Sequence, residues 1–280
     1  PNIELRDRYG IPKIGSIAND TLLNLRLKHA YLASVSYVDA LVGKLLSELD
    51  ELGLSKNTII VLWGDQGYHL GEMGHWGKAT NYEYGTRVPI IVSTPDIPQK
   101  QRGGHITALV EQVDIFPTLC DLAGISKPVD QLEGCSFSPL LTAPNRPWKK
   151  AVFSMYPSPA LREWGGRVLR NDMHNEYFIP LMDEVEAGIK AQVKEKWDRD
   201  LFEKYLIGYT MRTDRYRLIL WKDSRNLQEK PLFVELYDHK TDPEETLNVA
   251  ENEAALVEKL MLQFNAGWKG NLPKQRNKKL

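Results

Sequence analysis

The most restrictive pattern in the sequence lies in residues 21–63. "TLLNLRLKHAYLASVSYVDALVGKLLSELDEL" (21–52) repeats apolar residues at helical spacing: Val35, Val38, Leu41, Val42, Leu45, Leu46 and Leu49. Asn19 or Asp20 can cap its start, and Gly53 suits the left-handed residue past its end. "NTIIVLW" (57–63) follows at once, a β-branched run of the kind buried on both faces of a sheet. A long helix delivered straight into such a strand is half of a βαβ unit, so the expected fold class is α/β.

"RVPIIVS" (87–93) is a second candidate strand. "DIFPTLCDLAG" reads as a short helix: Asp114 caps it, Pro117 falls in the first turn where a missing N–H costs little, and Gly124 ends it. From about residue 150 the texture changes. "AVFSMY" (151–156), "IGYTMRT" (207–213), "YRLILW" (216–221) and "FVELYD" (233–238) are strand-like, with a tight antiparallel turn at Thr213-Asp214-Arg215. A charged helical stretch near 181–206 is expected to be a surface insertion. "NEAALVEKLMLQFNAGW", capped by Asn252, is the expected last helix, and the basic tail after Gly270 is expected to be solvated. These features divide the chain into an α/β portion, 1–147, and a C-terminal subdomain, 148–280, of antiparallel sheet and terminal helix.

Composition then excludes classes of function. Apolar content of 42% and charged content of 26% suit an ordinary globular core. A net charge of −1 argues against a nucleic-acid binder with a broad basic face. No apolar run approaches the roughly 18–20 residues of a membrane span. Cys120 and Cys135 can pair, stay free or sit buried, and no zinc pattern surrounds them. The chain starts at Pro1 with neither initiator Met nor signal peptide, and it reads as a piece of a longer protein.

"GDQGYHLGEMGHWGK" (64–78) carries the chemistry. Asp65 and Gln66 stand just past the carboxyl end of a strand, where ligands of α/β sheets bind. Their side chains offer hard oxygens suited to Ca²⁺ or Mg²⁺ rather than zinc. Lys78 supplies a compact positive charge for an anionic group. Gly67, Gly71, Gly74 and Gly77 let the loop bend so that both ends face one pocket. The alternative is a glycine-rich surface loop with a solvated lysine. His69, His75 and Trp76 are candidate substrate contacts, with a packed, hydrogen-bonded role open for each.

With its flanks, this loop resembles the type I sulfatases, within them the iduronate-2-sulfatase branch and its bacterial relatives. The resemblance rests on the helix, "NTIIV", Asp-Gln-Gly, "HLGE", Lys78 and "RVP" in order, then "ALVEQVDIFPTLCDLAGI", "LEGCSFSPLL", "MRTDRYRLILW" and "ELYDHKTDPEETLNVA". It implies an alkaline-phosphatase-like α/β sandwich with a small C-terminal subdomain, here as the C-terminal half only. It also implies sulfate-ester hydrolysis on a sulfated carbohydrate, and a periplasmic, secreted or lysosomal location. Asp65 and Gln66 match the family's metal-ligand pair, with Ca²⁺ ahead of Mg²⁺, and Lys78 matches its sulfate-contacting lysine. Met73 departs from a frequent histidine. The family's C/S-x-P-x-R motif, source of its formylglycine nucleophile, and its Asp-Asp metal pair do not occur here; Cys135 in "CSFSP" lacks the proline and the arginine at their offsets. The nucleophile is therefore expected in an N-terminal half of the same protein. A phosphoesterase or phosphonate hydrolase of the superfamily, or a non-catalytic carbohydrate- or partner-binding derivative, are the rival readings.

Overall fold

The computed structural model describes residues 21–128, 131–157 and 179–273. Helix α1 (Thr21–Glu51) forms as its spacing predicts. It closes at Gly53, whose φ of +68° lets its N–H reach Asp50 O at 3.0 Å and the next N–H reach Leu49 O at 2.9 Å. The capping candidates Asn19 and Asp20 lie outside the described residues. Leu23 and Leu27 pack on Trp76, but Val35, Val38 and Leu45 stay at least half exposed, so nothing among the described residues covers that stripe.

Strand β1 (Ile60–Trp63) comes next; the strand that would open a βαβ unit precedes α1 and lies outside the described residues. Among the described residues β1 pairs with β4 (Ile90–Ser93), antiparallel, from Ile60↔Ser93 to Trp63↔Ile90. A parallel neighbour needs a crossover that returns the chain to its starting end. Here the connection holds a hairpin, β2 (His69–Leu70) with β3 (Trp76–Gly77), and a single turn, α2 (Glu83–Thr86), which together reverse the chain. β1 is also only partly covered: Trp63 is 47% exposed.

Helix α3 (Ile115–Ala123) ends on Gly124 at φ +67°, as expected. Asp114 stands at its N-cap, as expected, but its side chain makes no forward cap bond. A 3-10 turn at Gln112–Asp114 precedes it, and the Asp114 carboxylate reaches back to the Glu111 N–H at 2.8 Å. Asp114 is fully buried, and Lys149 Nζ lies 2.7 and 2.8 Å from its two oxygens and 2.6 Å from Glu111 Oε2. After the short α4 (Ser138–Thr142), that lysine leads into β5 (Ala151–Pro157).

Strands β5, β6 (Leu206–Thr213), β7 (Tyr216–Asp223) and β8 (Phe233–Asp238) form an antiparallel sheet in chain order. All four fall where the sequence reads as strand-like, and the tight turn after Thr213 falls where expected. One face buries Met211, Leu218, Leu220 and Leu236 against Leu260 of α6 (Ala254–Asn265), each such side chain contributing about 1.5–3 kcal/mol. Glu253, not Asn252, stands at the N-cap of α6, and it makes no side-chain cap bond. The helix is positioned instead by Asn248, whose Oδ1 accepts from Leu236 N and Ala250 N at 2.9 and 3.0 Å. The charged stretch forms α5 (Ile179–Val193) but is not wholly a surface insertion: Leu201, Phe202 and Leu206 are buried against Trp197, Trp221 and Phe233. Cys120 is buried, Cys135 half-buried, and both are free thiols.

Candidate active site

The backbone that carries Asp65 and Gln66 is pinned on both sides. Gln112 Nε2 donates to Gly64 O at 3.0 Å and Asp65 O at 2.7 Å. The Gly67 N–H donates to Gly85 O at 3.1 Å, and a Cβ at 67 would stand 2.0 Å from Tyr84 O, so only glycine fits this close approach. Both side chains are exposed and line a cleft of about 1420 Å³, which Ala79, Thr80, Arg87 and Arg102 also line. Neither side chain is held in a hydrogen bond or ion pair with the described residues. Two free carboxylate and amide oxygens on a fixed backbone are the donor chemistry a hard divalent cation takes, though Ca²⁺ binds six to eight oxygens and these are two of them.

Lys78 leaves the β2–β3 hairpin between two residues with left-handed backbone, Gly77 at φ +99° and Ala79 at φ +78°. It is exposed, and its ammonium is unpaired among the described residues. Lys78 does not line the cleft itself, but the next three residues do. Those residues are anchored. Thr80 Oγ1 lies 2.7 Å from His69 Nε2.

The three expected substrate contacts turn inward instead. His69 is fully buried, with Nδ1 lacking a partner among the described residues, and burial lowers its pKa. His75 lies beside it, half-buried, with ring centroids 5.4 Å apart and the planes tilted by 50°; burial, then the neighbouring His69, bring its pKa down to about 4. Trp76 is 8% exposed and fills the seam with Leu23, Leu27 and Leu70. A glycine-rich loop that folds back on α1 must bury its largest apolar side chain, and that requirement overrides a sugar-stacking role.

Sequence alone does not mark the segment after Lys78, yet this segment ties the loop to the sheet. Asn81 Nδ2 donates to Tyr156 O at 3.1 Å, its Oδ1 accepts from Thr210 Oγ1 at 3.1 Å, and its carbonyl accepts from Arg217 Nη1 at 3.1 Å. Tyr82 Oη donates to Glu235 at 3.0 Å. Glu83 pairs with Arg217 and Arg212, while Arg217 also pairs with Glu245, itself 2.7 Å from His239 Nε2. Burial pushes the Glu83 pKa up, but the guanidiniums of Arg217 and then Arg212 outweigh it and hold the carboxyl below its ordinary value. Glu83, His239 and Glu245 bring ligand atoms within 4.8 Å of one another. Two arginines already neutralise the two carboxylates, so a dication there would leave buried excess positive charge, and the cluster does not fit a metal. One signal for this network does exist in the sequence: Arg217 interrupts the apolar run "YRLILW", and a charge inside such a strand implies a buried partner.

Residues 7–125 match the sequence model of the family described as Sulfatase. Iduronate 2-sulfatase of Mus musculus is 35% identical over 156 residues, which cover 46% of this chain and 28% of that protein. N-acetylglucosamine-6-O-sulfatase of Bacteroides thetaiotaomicron is 38% identical over 174 residues, 59% of this chain and 30% of that one. The chain thus spans less than a third of these curated relatives. Among solved structures, a protein in complex with its substrate D-glucosamine-2-N,6-O-disulfate superposes with a TM-score of 0.63 at 25% identity, over 97% of this chain and 46% of that one. A phosphonate monoester hydrolase from Silicibacter pomeroyi superposes at 0.65 with 23% identity, over 90% and 42%, a likeness of fold alone.

Proposed function

We propose, from the match of residues 7–125 to the sulfatase family model, that the protein of which this chain is part hydrolyses sulfate esters on a sulfated carbohydrate. The observation that supports this reading is that one pinned loop carries two unengaged oxygen ligands, Asp65 and Gln66, and an unpaired ammonium, Lys78. A divalent cation, Ca²⁺ by preference, would draw charge from the sulfate oxygens. Asp65 and Gln66 would hold it from the strand end, beside further ligands and a formylglycine nucleophile supplied by residues outside this chain. Lys78 faces the sulfate and stabilises the charge that gathers on it and on the leaving oxygen. The buried His69, through Thr80, and the β2–β3 hairpin hold the backbone on either side of the lysine. The protein works outside the cytoplasm, a placement supported by the 37% identity over 137 residues to an extracellular sulfatase of Drosophila melanogaster.

The test is steady-state kinetics of the full-length protein on a sulfated sugar, with a phosphate and a phosphonate ester as comparison. The sulfate ester should be the preferred substrate. Lys78→Ala should lower kcat roughly 10²–10³-fold with little change in KM or melting temperature, since the charge acts in the transition state. Turnover within about twofold of the parent would remove Lys78 from the site.

A further inference from the structure

We propose that Asn81, with Thr210 behind it, is a positioning residue for Lys78, so that the polar face of the β5–β8 sheet takes part in catalysis without touching substrate. This rests on the role of Lys78 given above. The geometry has three parts. Lys78 stands between left-handed residues, and Ala79 at φ +78° carries a Cβ that disfavours this conformation, so the surroundings must impose it. On one side the β2–β3 hairpin and the His69–Thr80 contact fix the chain. On the other, Asn81 makes three hydrogen bonds to the sheet, to Tyr156 O, Thr210 Oγ1 and Arg217 Nη1. The sheet is cut to receive it: a Cβ at Gly208 of β6 would lie 2.4 Å from Asn81 Nδ2 and 3.0 Å from the Trp221 ring.

A purely structural anchor would serve the same bonds, so the test must read Lys78 itself. A double-mutant cycle in the full-length protein does this, with kcat, KM and melting temperature measured for Thr210→Val, Asn81→Ala and each combined with Lys78→Ala. Thr210→Val keeps the shape of a strand residue and takes one donor from Asn81. It should lower kcat roughly 3- to 10-fold with KM within twofold, and Thr210→Ser should restore the rate. In the Lys78→Ala background the same change should cost less than twofold, since there is no longer an ammonium to aim. Asn81→Ala should behave alike with a larger loss; if it fails to fold, the Thr210 cycle stands alone. Equal losses in both backgrounds, or a Thr210→Val enzyme at the parent rate, would overturn the positioning role while leaving Lys78 in place. A Lys78→Ala enzyme with parent turnover would overturn both.

Discussion

Replacing Lys149 by Met isolates the cost of an uncompensated buried charge in this fold. Lys149 is 3% exposed at its side chain and Asp114 is not exposed at all, so neither charge can turn to water when its partner is lost. In the parent, one ammonium faces Asp114 and Glu111, and backbone N–H groups supply the rest: Glu111 and Cys135 donate to Asp114, and Phe153 donates to Glu111. Lys149→Met keeps the apolar stem but leaves Asp114 with two N–H donors and no counter-charge. Breaking such a pair from one side costs about 3–5 kcal/mol. At roughly 2–4 °C per kcal/mol the melting temperature should fall by about 6–20 °C. Differential scanning calorimetry of the full-length protein at neutral pH reads this directly. Adding Asp114→Asn should recover part of the loss, because the stranded charge goes with it. A Lys149→Met protein melting within about 2 °C of the parent would refute the argument that this ion cluster is desolvated and structurally required.

Trp76→Ala should cost about 3–5 kcal/mol through the cavity left among Leu23, Leu27 and Leu70, with KM within twofold. The opposite pattern in melting and kinetics, an unchanged melt with KM raised tenfold, would return Trp76 to a sugar-stacking role. His75 has its pKa brought down from 6.5 to about 4, so the native state resists protonation that the unfolded chain accepts. Its stability contribution is whole above pH 6.5 and is lost as pH falls towards 4. An NMR titration of its ring should show a midpoint near 4, and a midpoint above 6 would show that the ring is not buried as described.

The sequence carries local order well and long-range partnership poorly. Strands β5–β8 are legible as short runs rich in β-branched and aromatic residues, and α1 from its helically spaced apolar residues between Val35 and Leu49. The antiparallel β1–β4 pair is not, since each run reads as a strand but nothing in either says that the hairpin between them reverses the chain. Asp65, Gln66 and Lys78 can be singled out by chemistry and spacing. Their supports cannot: Gln112 reaches Asp65 across 47 residues, and Asn81 meets Thr210 across 129. Trp76 is ambiguous because an aromatic in a loop reads the same whether it faces a sugar or a core.

The sheet that receives Asn81, Tyr82 and Glu83 also sets a timetable for synthesis. On a ribosome, residues 64–78 emerge long before β6–β8, and the bonds that hold the lysine loop span 129, 153 and 162 residues. An α/β portion that folds as it is made, N-terminal part first, therefore waits with residues 81–83 unanchored until β6–β8 leave the tunnel. Premature termination anywhere before β8 yields a chain that holds Asp65, Gln66 and Lys78 but lacks Glu235 and Glu245, which hold Tyr82 and Glu83. The order of synthesis thus separates the making of residues 64–78 from the making of the surface that anchors the segment after them.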